Sequence, residues 1–221
     1  MKPIASLLAA AAAACLLPSR GSCADDWEWW VDLPVSASLA PGLEFNAVGS
    51  LKFRDDMSYL YNRGAIAGPL FSPWKWLGLG LDYWYRETRK STQGPWTDQR
   101  SLVGRFDLRW KAADWLIAQD LNRLEYDTDL CRWRIRIKPR ICLPFRAAGL
   151  AFRALVDNEF FLFLDYPGGR TTYSENRFSV GLILSAFAGL DVQVGYRRVD
   201  TDTDKGWRGS NVLYSCMKIA F

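Results

Sequence analysis

Five cations stand two residues apart in one stretch: Arg132, Arg134, Arg136, Lys138 and Arg140. Trp133, Ile135, Ile137, Ile141, Leu143 and Phe145 occupy odd positions of the same stretch. Guanidinium groups present planar, paired donors that match carboxylate and phosphate, and rings of Arg or Lys line anion pores. One chemistry open to this row is therefore an anion rail. The other is ion pairing. Arg123 and Glu125 lie just upstream, and charges in a confined space are costly unless paired. A network of Arg123, Glu125, Arg132, Arg134, Arg136, Lys138 and Arg140 is the candidate site under either reading.

Other chemistries have less support. The chain contains no histidine, which removes Ser-His and Asp-His catalysis and the commonest metal ligand. We expect no catalytic residues, no enzymatic activity, no cofactor and no metal centre. The remote enzymatic alternative is an outer-membrane lipid-modifying enzyme, which would have to work without histidine. Asp200, Asp202 and Asp204 in the segment Asp200–Gly206 offer carboxylate oxygens. The later bidentate Glu of a calcium loop is missing, so this segment reads as a solvated loop.

The row can keep its two faces apart only on a strand, where successive side chains point to opposite sides. The same alternation recurs along the chain. Leu43, Phe45, Ala47, Leu51 and Phe53 oppose Glu44, Asn46, Ser50, Lys52 and Arg54, while Leu77, Leu79, Leu81, Tyr83 and Tyr85 oppose Gly78, Gly80, Asp82, Trp84 and Arg86. Later segments place Arg105, Asp107, Arg109, Asp157, Glu159 and Glu175 on the polar side. Ten such strands follow Leu43, and 25–42 forms an N-terminal extension, plug or extra strand. Segments of this length with a two-residue period fit a transmembrane barrel. The expected fold is all-β: a single transmembrane antiparallel up-and-down β-barrel of about 10 strands, with 12 the alternative, spanning 43–221. If both ends lie on the periplasmic side, the count must be even.

Connections near 72–75, 111–114, 146–149 and 187–189 read as tight. Those near 90–97, 165–172 and 200–208 read as longer. Aromatic residues gather at both presumed ends, as at the two lipid interfaces of a barrel. Trp74, Trp76, Trp110, Trp115, Phe145 and Phe187 mark the tight-turn side, and Tyr83, Tyr85, Trp96, Tyr126, Trp133, Tyr166 and Tyr196 the other.

Residues 1–24 read as a cleaved signal peptide, with Lys2, an apolar core from Ile4 to Leu17 and small residues Ser22-Cys23-Ala24. A lipoprotein signal at Cys15 or Cys23 is the competing reading. Cleavage removes two cations, Lys2 and Arg20, from a formal charge of only +4. So nearly balanced a chain has no one-signed surface for nucleic acid, and no nucleic-acid partner is expected. Cys131 and Cys142 are too far apart along one strand to bridge, and reduced cysteines are expected.

The run Asn122-Arg123-Leu124-Glu125-Tyr126, followed by Arg132-Trp133-Arg134-Ile135-Arg136-Ile137-Lys138-Pro139-Arg140, resembles a bacterial family of outer-membrane barrels, domain of unknown function 2490 (DUF2490). Phe53-Arg54, Gly78-Leu79-Gly80-Leu81-Asp82-Tyr83 and Glu175-Asn176-Arg177 also fit that family. The resemblance implies the barrel fold and a place in the bacterial cell outer membrane. It implies no activity. Partners expected there are outer-membrane lipid and lipopolysaccharide, together with the barrel assembly machinery, which would read the terminal Phe221. The expected function is a small barrel of structural or narrow-pore type with an ion-paired lumen; the alternative is an anion-selective pore.

Overall fold

A computed structural model describes residues 26–166, 170–203 and 206–221; the segment read as a signal peptide lies outside them. The described residues form β-strands and turns, with no helix. The strands are β1 (Asp26–Ala40), β2 (Leu43–Arg54), β3 (Tyr59–Trp74), β4 (Leu77–Thr88), β5 (Thr97–Ala113), β6 (Leu116–Asp127), β7 (Arg132–Ile137), β8 (Pro139–Ala147), β9 (Leu150–Tyr166), β10 (Arg170–Phe187), β11 (Leu190–Thr203) and β12 (Gly206–Ala220).

Each strand pairs antiparallel with its chain neighbour, apart from the places around β7 and β8. Both of these pair with β6 on one side and β9 on the other. Arg136 opposes Arg123 and Phe161, Cys142 opposes Ile117 and Leu155, and the register runs through the break without a shift. Pro139, which has no amide hydrogen to give the ladder, explains the interruption. The two segments are one interrupted strand, so the ring has eleven places.

The ring closes between β1 and β12, and this pairing is parallel, from Asp26 opposite Ser210 to Ser36 opposite Ala220. The expectation of an even count with both ends on one side is thereby corrected. Ten strands do follow Leu43, but Asp26–Ala40 is an eleventh wall strand. Chain direction alternates at every antiparallel turn, so an odd count forces first and last strands to run the same way. The seam extends to the terminus, where the Phe221 amide donates to the Ser36 carbonyl at 2.9 Å and the Ser38 amide to the Phe221 carbonyl at 3.2 Å.

One end of the barrel carries turns of two residues: 41–42, 75–76, 114–115, 148–149 and 188–189. At 148–149 both residues have positive φ, Ala148 at 50° and Gly149 at 76°, the conformation of the hairpin turn whose twist suits paired strands. The opposite end carries the longer connection 89–96, but 165–172 and 200–208 are not the long loops expected. Strand structure continues to Tyr166 and resumes at Arg170, and continues to Thr203 and resumes at Gly206. Pairs such as Thr201 with Arg208 and Asp202 with Trp207 extend the ladder. Polar composition there marks strands standing beyond the apolar belt, not the absence of pairing.

The outer face is apolar. Phe45, Leu51, Leu79, Leu81, Leu102, Phe106, Ile141, Leu182, Val194, Leu213 and Met217 are all exposed on it. Large aromatic side chains flank this belt: Trp74 stacks on Trp76 with centroids 5.3 Å apart at the tight-turn end, and Tyr126 meets Trp133 at 4.7 Å towards the other. The inner face carries the buried polar groups, among them Asp82, Glu125, Lys138, Asp157, Glu159 and Arg197. The hydrophobic effect is thus arranged inside out, with charge in the middle and hydrocarbon at the surface.

Candidate functional site: the charged interior

The interior is organised around two carboxylates on β9. Glu159 is 0 % exposed and Asp157 2 %. Register places them opposite the cation row of β7 and β8: Arg140 faces Asp157 directly. Glu159 receives Arg136, Lys138 at 3.2 Å and Arg177 of β10 at 3.2 Å. Asp157 receives Arg140 through Nη2 at 2.9 Å and Nε at 3.1 Å, and Lys138 at 3.7 Å. Lys138 therefore bridges the two carboxylates at the point where Pro139 interrupts the wall. Glu159 Oε1 lies in ion-pair range of Arg136 and Lys138 yet has no well-aligned hydrogen bond, so that contact is chiefly Coulombic.

A second cluster sits towards the long-connection end. Arg134 Nε donates to Glu125 Oε2 at 2.8 Å, and Arg134 also lies over the ring of Phe161 at 4.9 Å. Glu125 is 3 % exposed, and its second oxygen, Oε1, has no hydrogen-bond partner. On the β4–β5 wall Asp82 pairs with Arg105 at 3.0 Å. No side chain at Gly80 separates them: a Cβ there would meet Arg105 Nε at 2.8 Å.

Aromatic residues fill the remaining side. Trp30 of β1 is 5 % exposed, with Lys52 Nζ 3.7 Å from its ring centroid and Arg177 and Arg197 at 4.9 and 5.4 Å. Its indole N–H donates to Glu28, which also accepts from the Tyr61 hydroxyl, both at 2.7 Å. Cations over aromatic faces are stabilised when desolvated, so this cluster holds charge without a carboxylate for each cation.

Of the residues singled out from sequence, the structure brings Glu125, Arg134, Arg136, Lys138 and Arg140 into ion pairs. Arg123 and Arg132 stand apart; neither has a carboxylate in ion-pairing range among the described residues. Arg123 lies between Arg105 and Arg136 in the cross-strand pairs. Sequence reasoning did not pick out Arg177, Asp82, Lys52 or Trp30. The polar faces that carry Arg177, Asp82 and Lys52 were legible, whereas Trp30 lies in the 25–42 segment that had no assigned face. The meeting of all four depends on which strands neighbour across the ring. Cys131, Cys142 and Cys216 are free thiols, and among the described residues no group of His, Cys, Asp and Glu is arranged to hold a metal.

Fold and interior together define a small closed β-barrel with buried ion pairs on its inner face. The chain belongs to the family described as protein of unknown function (DUF2490), whose model matches residues 27–210. No curated protein matches it.

Proposed function

We propose that this protein is an outer-membrane barrel whose interior is a salt-bridged plug, serving a structural role and not an open conduit. The observation that carries the reading is the pair Asp157 and Glu159, almost fully buried and shared among Arg136, Lys138, Arg140 and Arg177. A closed ring with hydrocarbon outside and paired charge inside suits a lipid bilayer, where every backbone group must be satisfied internally. Barrels near this strand number are largely filled by side chains. The arginines of a rail need charge without a counter-charge, but Arg134, Arg136 and Arg140 each pair with a carboxylate, which argues against an anion pore.

The test is conductance of the purified, folded protein in a planar bilayer. The wild type is expected to be electrically silent. A steady anion-selective current that falls when Arg134 and Arg136 are neutralised would overturn the plug.

A further inference from the structure

A cavity of about 250 Å³ opens above the buried carboxylates, near the long-connection end, between β4, β5, β6, β7 and β9. That is room for about eight waters at liquid volume, or one small organic molecule. Its lining carries Arg86, Arg132 and Arg134 against Glu125 and Asp127, one cation in excess. The carboxylates are largely committed. Glu125 Oε2 takes Arg134, and Asp127 Oδ1 accepts the amides of Asp129 and Leu130 at 3.0 and 2.9 Å.

Arg86 and Arg132 are not so committed. Arg86 uses Nε on Gln99 at 2.6 Å and lies over Trp84 at 4.5 Å, which fixes its plane. Among the described residues, neither arginine has a carboxylate in ion-pairing range. Two further features point to the same occupant. Glu125 Oε1, on a residue only 3 % exposed, is an acceptor without a donor. Phe163 and Leu130 give the cavity an apolar wall.

We infer that this vestibule binds a small hydroxylated oxyanion, a phosphorylated or acidic sugar. Arg86 and Arg132 hold the phosphate or carboxylate in charge-assisted hydrogen bonds. A ring hydroxyl donates to Glu125 Oε1, and the C–H face of the ring lies against Phe163. The single charge of a carboxylate neutralises the excess cation of the lining, and a phosphate monoester, at about −1.5 to −2 near pH 7, more than offsets it. The inference does not depend on whether the barrel conducts, because the site can be read by binding alone.

Titration calorimetry on the full, folded protein in detergent tests it, with glucose 1-phosphate, glucose and inorganic phosphate as probes. Glucose 1-phosphate is expected to bind saturably and at least roughly tenfold tighter than either fragment, as charge-assisted bonds and the hydroxyl contact add. Arg132→Gln, nearer the rim, and Arg86→Gln should each weaken it by roughly tenfold. Arg100→Gln, whose partner Asp98 is on the exposed rim, should not. Folding of each variant is checked by its heat-dependent gel mobility; Arg132→Gln keeps the test decisive if Arg86→Gln fails to fold. Competition by lipopolysaccharide identifies a lipid headgroup as the source of the sugar, and its absence with intact binding identifies a free solute. No saturable binding of glucose 1-phosphate in the low-millimolar range, or binding unchanged in Arg132→Gln, would overturn the inference.

Discussion

Glu159 shows how one residue governs its neighbours. It is 0 % exposed and sits within ion-pair range of Arg136, Lys138 and Arg177. Replacing it by Gln keeps the shape but leaves three buried cations short of a counter-charge. Breaking a buried pair by removing one partner costs about 3–5 kcal/mol. We expect Glu159→Gln to lower the unfolding free energy by about that amount, read as a shift in the denaturant midpoint of the folded protein. Glu87→Gln is the comparison. Its partner Arg63 has a side chain 47 % exposed, and exposed pairs contribute only about 0–1 kcal/mol. Equal losses in the two variants would mean that the interior network contributes no more than a surface contact.

At the scale of the strand, the structure shows what alternation can and cannot reveal. A two-residue period assigned Arg134 and Trp133 to opposite faces, and the barrel has Trp133 exposed outside and Arg134 against Glu125 within. Glu125 and Arg134 are also neighbours in sequence order, joined by a short turn, so their meeting was legible. The pairing of Lys138 with Glu159 was not, because it depends on β9 register, which no local pattern encodes. Nor did polar composition reveal that β9 to β12 run on as paired strands where loops were expected. Glycine placement is another signal visible only in three dimensions. Gly181 and Gly195 oppose one another between β10 and β11, and a Cβ on Gly195 would lie 2.4 Å from the Val180 carbonyl oxygen. Backbone cannot yield to that contact cheaply, so Gly195→Val should destabilise by about 3 kcal/mol or more or prevent assembly. Gly49→Ala, where nothing lies within 4 Å, should be neutral or stabilise by about 0.5–1 kcal/mol. Both effects are measured by the fraction that reaches the heat-modifiable folded form, and a well-folded Gly195→Val would refute the close approach of these strands.

For the whole molecule, everything rests on the seam. A sheet with free edges would expose unpaired backbone groups, and in hydrocarbon each would be costly. The parallel pairing of β1 with β12 removes both edges and fixes the odd number of places, so it also fixes which interior residues face one another. Trp30 reaches Arg177 and Arg197 only because β1 lies beside β12. The seam also places Asp32 opposite Cys216, both on the inner face by the alternation that buries Trp30 and Val212. Adjacent strands lie about 4.8 Å apart, within the roughly 4.4–6.8 Å between Cα atoms that a disulfide spans. Asp32→Cys should therefore cross-link to the native Cys216 when the folded barrel is oxidised, giving one linked peptide pair after proteolysis. Val31→Cys, on the outer face opposite Ser215, should give none with Cys216. Antiparallel closure would carry position 32 to a different partner, and an open sheet would leave it with none. A folded Asp32→Cys variant that stays reduced under oxidation would therefore refute the parallel closure, and with it the way this interior is assembled.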